Sequence, residues 1–379
     1  MKIAMWTSSE ERCGIASYTA CLAGELRQLG VEVELVPVPY TDRDPGRMEE
    51  RLARLNAADL VHLQHEYTFF GGIAPRVSSL PNYLARLRRP HVVTAHTVFT
   101  AAELLRVETE HRPRQRIAKR ILSALPPYRA SVERDPFARA DAVIVHTAAA
   151  RERMLQRGIP ADRVHVLPAG VPHPDEAAME PERVSAFRQR LGLNGARVAT
   201  IFGFVHQDKG YEIALAALKG LPAGVKLVIA GGTRVEHERG YMEQLQQRIR
   251  DEGLAERVVI TGYLSEPEVS TVMALTDVVL VPHTAANGSY SVMIGLSHGK
   301  PVLASDLPCF REIHERGGGA ELFDPGDERA LAERLGYLLA SHSARTQLGK
   351  KAAAFAQEQS WSAVAERTRQ IYEQVLRGT

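Results

Sequence analysis

The chain has 379 residues, with 47 Lys and Arg against 45 Asp and Glu for a net charge of +2, 45% apolar and 24% charged residues. That length exceeds one compact core and predicts two domains of ordinary size, while the near-neutral balance gives the molecule no strong pull toward nucleic acid. Cys13, Cys21 and Cys309 are scattered without CxxC spacing, which argues against a disulfide framework or a zinc site, and the start MKIAMWTSS lacks the regions of a signal peptide; a cytoplasmic protein is expected, with no stretch apolar enough to span a membrane.

In chain order, a short strand at 2–6 leads through a polar loop to Cys13-Gly14 and a helix at 15–29, which Gly30 ends before the strand 31–37. A helix ending near Asn56 precedes the strand 60–63, which finishes on Gln64, His65 and Glu66. A helix at 79–88 then leads to the strand 91–95, finishing on His96 and Thr97. Strands at 142–145 and 164–167 finish on His146-Thr147 and Pro168–Gly170 in the same manner. Alternation of this kind predicts a parallel sheet with right-handed crossovers, its polar strand ends along one edge. The Pro-rich stretch 173–194 reads as an interdomain connection carrying a helix at 182–191.

A second series follows, with strands at 198–202, 226–230, 257–260 and 278–282 and helices at 209–218, 241–252 and 266–275. The stretch 284–306, TAANGSYSVMIGLSHGKPVLASD, reads as an anion-binding turn at Asn287, Gly288 and Ser289, a helix that Ser289 or Ser291 caps, and a strand at 302–304 behind Gly299 and Pro301. Helices at 329–339, 342–357 and 362–376 complete the chain. The expected division is 1–172, completed by 361–379, then 173–194, then 195–360.

The segment 106–139 is basic and carries Ile117, Ile121, Leu122 and Leu125 at helical spacing. Peripheral contact with an anionic membrane surface fits this pattern; we read it as a solvated helix packed on its own domain, because Glu103, Glu108, Glu110 and Glu133 dilute the charge. Lys209 stands in the glycine-bounded octapeptide Gly203-Phe204-Val205-His206-Gln207-Asp208-Lys209-Gly210, where a lysine at a helix start can meet a phosphate. Neither a P-loop nor a G-x-G-x-x-G fingerprint is present. Asp42-Arg43-Asp44 lies in a polar loop and reads as a solvated turn, and His62 and His65 point to opposite faces of a strand, so no metal is expected.

Gly14 in a first strand-to-helix loop, His96 after a strand, the octapeptide 203–210 and Gly299-Lys300-Pro301-Val302 together resemble the retaining family 4 glycosyltransferases of GT-B fold. Leu167-Pro168-Ala169-Gly170-Val171, 259–264 and the final 361–376 resemble further pieces of that family. The resemblance implies an α/β architecture of two Rossmann-like domains facing across a cleft, with a C-terminal helix crossing back to the first. It also implies a nucleotide-diphosphate sugar as co-substrate, no cofactor, and transfer to a hydroxyl acceptor with retention.

Carried onto this sequence, the resemblance places Gly14, Gly203, Lys209, Tyr263, Asn287, Gly288 and Ser289 at the donor, with Lys209 and His96 catalytic. Arg234 and Ser291 are candidate replacements for missing donor contacts, and His65 and Glu66 are candidates for an acceptor-side loop. The family's two glutamates align with Ala286 and Ile294, and its phosphate arginine with Phe204. Those departures keep two alternatives open: a GT-B homologue that binds sugar nucleotide or partners an active transferase, and a GT-B nucleotide-sugar epimerase.

Overall fold

The computed structural model describes residues 1–9, 13–70, 78–100, 103, 125–126, 130, 133–171, 173–233, 239–286 and 290–378. They form two compact units, Met1–Gly170 with Trp361–Thr379, and Val171–Ser360.

The first unit is built on β1 (Lys2–Thr7), β2 (Glu32–Pro37), β3 (Leu60–His65), β4 (His91–Ala95), β5 (Ala142–Val145) and β6 (Val164–Val166), all parallel in the order β2-β1-β3-β4-β5-β6. Ile3 to Trp6 and Leu60 to Leu63 are buried on both faces, as a parallel sheet covered by helices requires. The chain direction across the sheet reverses between β1 and β3, and the carboxyl ends there carry Thr7, Ser8 and His65.

The helix Trp361–Gly378 belongs to this unit, as expected. Its Val364, Ala365, Ile371 and Tyr372 share one apolar cluster with Tyr18, Leu22 and Leu26 of the helix Gly14–Gln28. Gly170 faces the Trp361 ring so closely that a methyl there would lie 2.3 Å from Cδ2.

The second unit contains β7 (Arg197–Phe202), β8 (Val225–Ala230), β9 (Val258–Ile260), β10 (Val278–Val281), β11 (Val302–Ser305) and β12 (Ala320–Phe323), parallel in the order β12-β11-β10-β7-β8-β9. Here the reversal falls between β7 and β10, which puts the octapeptide 203–210 and the stretch 282–286 at adjacent strand ends.

Residues 173–194, expected as a connection, fold onto this second unit instead. Thr271 Oγ1 donates to Ala178 O at 2.8 Å, and Phe187 and Leu193 lie in one apolar cluster with Val198, Val228 and Val272. The helix expected at 209–218 begins later, at Tyr211–Lys219, because Gly210 adopts φ +69° and leaves Lys209 in a preceding 3₁₀ turn. The helix Pro308–Glu315 and strand β12 were not foreseen; β12 has four residues, too short to show a period. No helix among the described residues is long and apolar enough to cross a membrane.

Candidate functional site

Lys209 is fixed by backbone constraints on both sides. Gly210 packs so tightly that a Cβ there would lie 1.8 Å from Pro282 O, and Thr284 N donates to Asp208 O at 3.0 Å. Gly203 N donates to Ala230 O at 3.0 Å, and a Cβ on Gly231 would lie 2.0 Å from Gly203 O. Glycines at 203, 210 and 231 therefore let three strand-end loops converge, and a side chain at 210 or 231 has no room.

Into this junction Lys209 directs its ammonium. Nζ donates to Ser291 Oγ at 2.9 Å and to Phe202 O at 3.2 Å, and Ser291 Oγ donates to the same carbonyl at 2.7 Å. Both partners are neutral, and no carboxylate pairs with Lys209 among the described residues. Burial without a compensating charge pushes its pKa down to about 8. An ammonium held in this way, with only neutral partners, can attract an anion.

Ser291 is the second residue of the helix Tyr290–Ser297 and not its cap, since its hydroxyl is committed to Phe202 and Lys209. Ile294 is buried in an apolar cluster with Val279, Val292 and Phe310, and Ala286 packs against that cluster, so neither position offers a carboxylate. Tyr263 follows β9 with an exposed ring, 6.5 Å from and nearly parallel to that of Phe204. Phe204 supplies aromatic surface where the resemblance called for an arginine. Arg234, Asn287, Gly288 and Ser289 lie outside the described residues.

Sequence reasoning missed His283, which follows β10 and Pro282. Its ring is 6% exposed, stands edge-on to Phe310 at 5.7 Å, and has a buried Nδ1 without a hydrogen-bond partner. Burial, with a smaller contribution from the Lys209 charge, pushes its pKa down to about 3. The available signal was the recurrent polar residue after a strand.

In the first unit His96 does not present a free ring. Nε2 lies 2.8 Å from Gln64 Oε1, and Nδ1 lies 3.2 Å from His146 Nε2, whose own Nδ1 meets Leu167 O at 2.9 Å. Oxygen acceptors at both ends claim the two protons of a neutral pair, so two lone pairs face each other in the middle. A third proton would close that gap, but burial holds both pKa values down and keeps the pair neutral.

His65 is buried in the core between the rings of Tyr67 and Phe137, each 4.9 Å away, rather than on an acceptor-side loop. The Glu66 carboxylate accepts from Thr97 Oγ1 at 2.9 Å and Tyr67 N at 2.8 Å; Gly71 and Gly72, the end of that expected loop, lie outside the described residues. Gly14 opens the helix Gly14–Gln28, exposed, with open space around it.

Asp42 is held by Arg51 at 2.8 Å and Arg47 at 2.9 Å, while Asp44 caps a helix through Arg47 N. No cluster of three metal-ligand side chains occurs among the described residues. Of the basic segment 106–139, only residues 125–126, 130 and 133–139 are described.

The profile of the family described as Glycosyl transferases group 1 matches residues 185–355, and that of Glycosyltransferase Family 4 matches 13–173. The D-inositol 3-phosphate glycosyltransferase of Xylanimonas cellulosilytica is 28% identical over 256 residues, covering 65% of this chain and 60% of the relative. The alpha-D-kanosaminyltransferase of Streptomyces kanamyceticus is 25% identical over 248 residues, covering 64% and 63%. The chain thus spans less than two thirds of the length of these curated relatives. Anabaena Alr3699/HepE, solved in complex with UDP and glucose, superposes with a TM-score of 0.74 at 20% identity, covering 99% of this chain and 100% of that one. Sucrose-phosphate synthase from Thermosynechococcus elongatus superposes at 0.72 with 19% identity, covering 100% of both chains.

Proposed function

We propose, from the premise that the chain belongs to the group 1 (family 4) glycosyltransferases of GT-B fold, that it moves a hexose from a nucleotide-diphosphate sugar to a hydroxyl acceptor with retention and without a metal. The observation that carries this reading is Lys209, an ammonium with only neutral partners where β7 and β10 reverse the sheet. A departing nucleoside diphosphate gains negative charge as the sugar bond breaks. A preorganised cation at that oxygen stabilises the transition state more than the ground state.

Tyr263 and Phe204 offer aromatic faces near the same edge for the rest of the donor. His96, with Nε2 bonded to Gln64 and Nδ1 facing His146, orders its strand end in this reading and transfers no proton. The UDP bound to the Anabaena protein supports a nucleotide donor, and the inositol 3-phosphate in the name of the Xylanimonas relative supports a hydroxylated ring as acceptor.

Ala286 and Ile294 favour one second reading, a member that holds sugar nucleotide with little turnover. Incubation of the purified protein with a panel of nucleotide sugars, followed by mass spectrometry, separates the two. Release of nucleoside diphosphate from one donor, lost in Lys209→Ala and retained in EDTA, is expected. Binding without turnover across an acceptor panel would favour the second reading, and a loss in EDTA restored by manganese would overturn metal independence.

A further inference from the structure

We infer that His283 is a second binding residue for the diphosphate, donating an imidazole N–H to an oxygen of the group that Lys209 neutralises. The inference rests on the reading of Lys209 given above and extends it to a residue on the opposite strand of the switch point.

Three observations converge. First, the backbone locks His283 beside Lys209. Its neighbours Pro282 and Thr284 are the two residues that pin the Lys209 turn, through the close approach to Gly210 and the 3.0 Å bond to Asp208 O. Second, the ring is buried, yet Nδ1 has no hydrogen-bond partner. Leaving a buried polar atom unpaired is costly, and such exceptions call for a ligand or a functional explanation. Third, the ring stays neutral, since burial and the nearby ammonium oppose its protonation.

A neutral imidazole has one N–H to give and adds no repulsion toward Lys209. Diphosphate oxygens only accept, so the two residues are complementary to one anion: Lys209 supplies charge and His283 supplies direction. Edge-on packing against Phe310 at 5.7 Å holds the ring plane, and Nδ1 is left without a protein partner.

Calorimetric titration of wild type, Lys209→Met, His283→Phe and His283→Asn with inorganic pyrophosphate and with UDP tests this. His283→Phe keeps the packing on Phe310 and removes both nitrogens; it is expected to weaken both ligands by about ten- to hundredfold, the loss of one hydrogen bond to a charged group. His283→Asn, whose amide nitrogen can stand near the Nδ1 position, is expected to stay within a few-fold of wild type.

Wild-type affinity in a folded His283→Phe, with affinity lost in Lys209→Met, overturns the role of His283 and leaves the diphosphate site standing. Wild-type affinity in Lys209→Met, or no binding of either ligand by wild type, overturns both. Imidazole ¹⁵N resonances of the unsubstituted protein give an independent check should His283→Phe fail to fold: the His283 signals are expected to shift on adding pyrophosphate, and unmoved signals overturn the inference.

Discussion

Ser291 Oγ lies 2.9 Å from Lys209 Nζ, and both groups donate to the carbonyl of Phe202. The serine therefore aims the lysine, across 82 residues of sequence. This geometry separates two roles for Ser291. If it positions Lys209, Ser291→Ala weakens inorganic pyrophosphate and UDP by the same factor; if it touches ribose, only UDP suffers. We expect equal losses of roughly three- to tenfold, the range of one neutral hydrogen bond, measured by calorimetry. An effect confined to UDP would reassign the residue to the ribose.

Lys209 should trade stability for binding. Its pKa in the folded chain is about 8, below the ordinary lysine value of 10.5. At pH below 8 both states are charged and the folded state carries the full desolvation cost. As pH rises from 8 toward 10.5 the folded state sheds its proton first, so this group's penalty fades. Lys209→Met is thus expected to raise unfolding stability at pH 7 by about 2 kcal/mol, less than the full shift implies because the side chain keeps some solvent contact. The same substitution should abolish donor turnover. In wild type, UDP affinity should fall as pH rises through about 8, and this break should vanish in Lys209→Met. A thermal-melt series with matching titrations measures both, and a less stable Lys209→Met would contradict the desolvation argument.

Gly210 links the turn to β10. At φ +69° any side chain is strained by roughly 1–2 kcal/mol, and here the added Cβ would also meet Pro282 O at 1.8 Å. Gly210→Ala must move either the Lys209 turn or the 282–284 backbone. UDP affinity is expected to drop at least about tenfold, with a lowered melting temperature. Gly224→Ala, at a position with nothing within 4 Å, is the control and should change neither.

Much of this was legible in the residues. Apolar runs such as Ala142 to Val145 and Val278 to Val281 declare buried parallel strands, and glycines around Lys209 declare a turn. What could not be read was partnership. A serine just inside a helix looks like a cap until packing brings Phe202 to it, and His96 looks free until Gln64 and His146, 32 and 50 residues away, close in on the two edges of its ring. His283 is the same case in reverse: only burial shows that its nitrogen lacks a partner. The packing of 173–194 was unreadable for a similar reason, since Phe187 and Leu193 find their apolar neighbours Val198, Val228 and Val272 only in the folded chain.

The first unit carries a built-in acid sensitivity that can be observed separately. His62 is fully buried, with Nδ1 2.6 Å from Tyr372 OH and Nε2 2.7 Å from Thr94 Oγ1, so it ties the terminal helix to β3 and β4. Burial pushes His62 and His65 down to about 3. Unfolded histidines titrate near 6.5, so between 6.5 and 3 the unfolded state binds more protons and stability falls as pH falls. The two tryptophans of the chain, Trp6 and Trp361, both lie buried in this unit and report its unfolding by fluorescence. Urea midpoints should be flat above pH 7 and decline steadily below about 6.5. Tyr372→Phe, which leaves His62 Nδ1 only the long 3.5 Å contact to Gln64 Nε2, should lower stability by about 1–3 kcal/mol at pH 7 while UDP affinity in the second unit stays unchanged. A Tyr372→Phe variant as stable as wild type would show that the His62 contact contributes nothing to docking the helix.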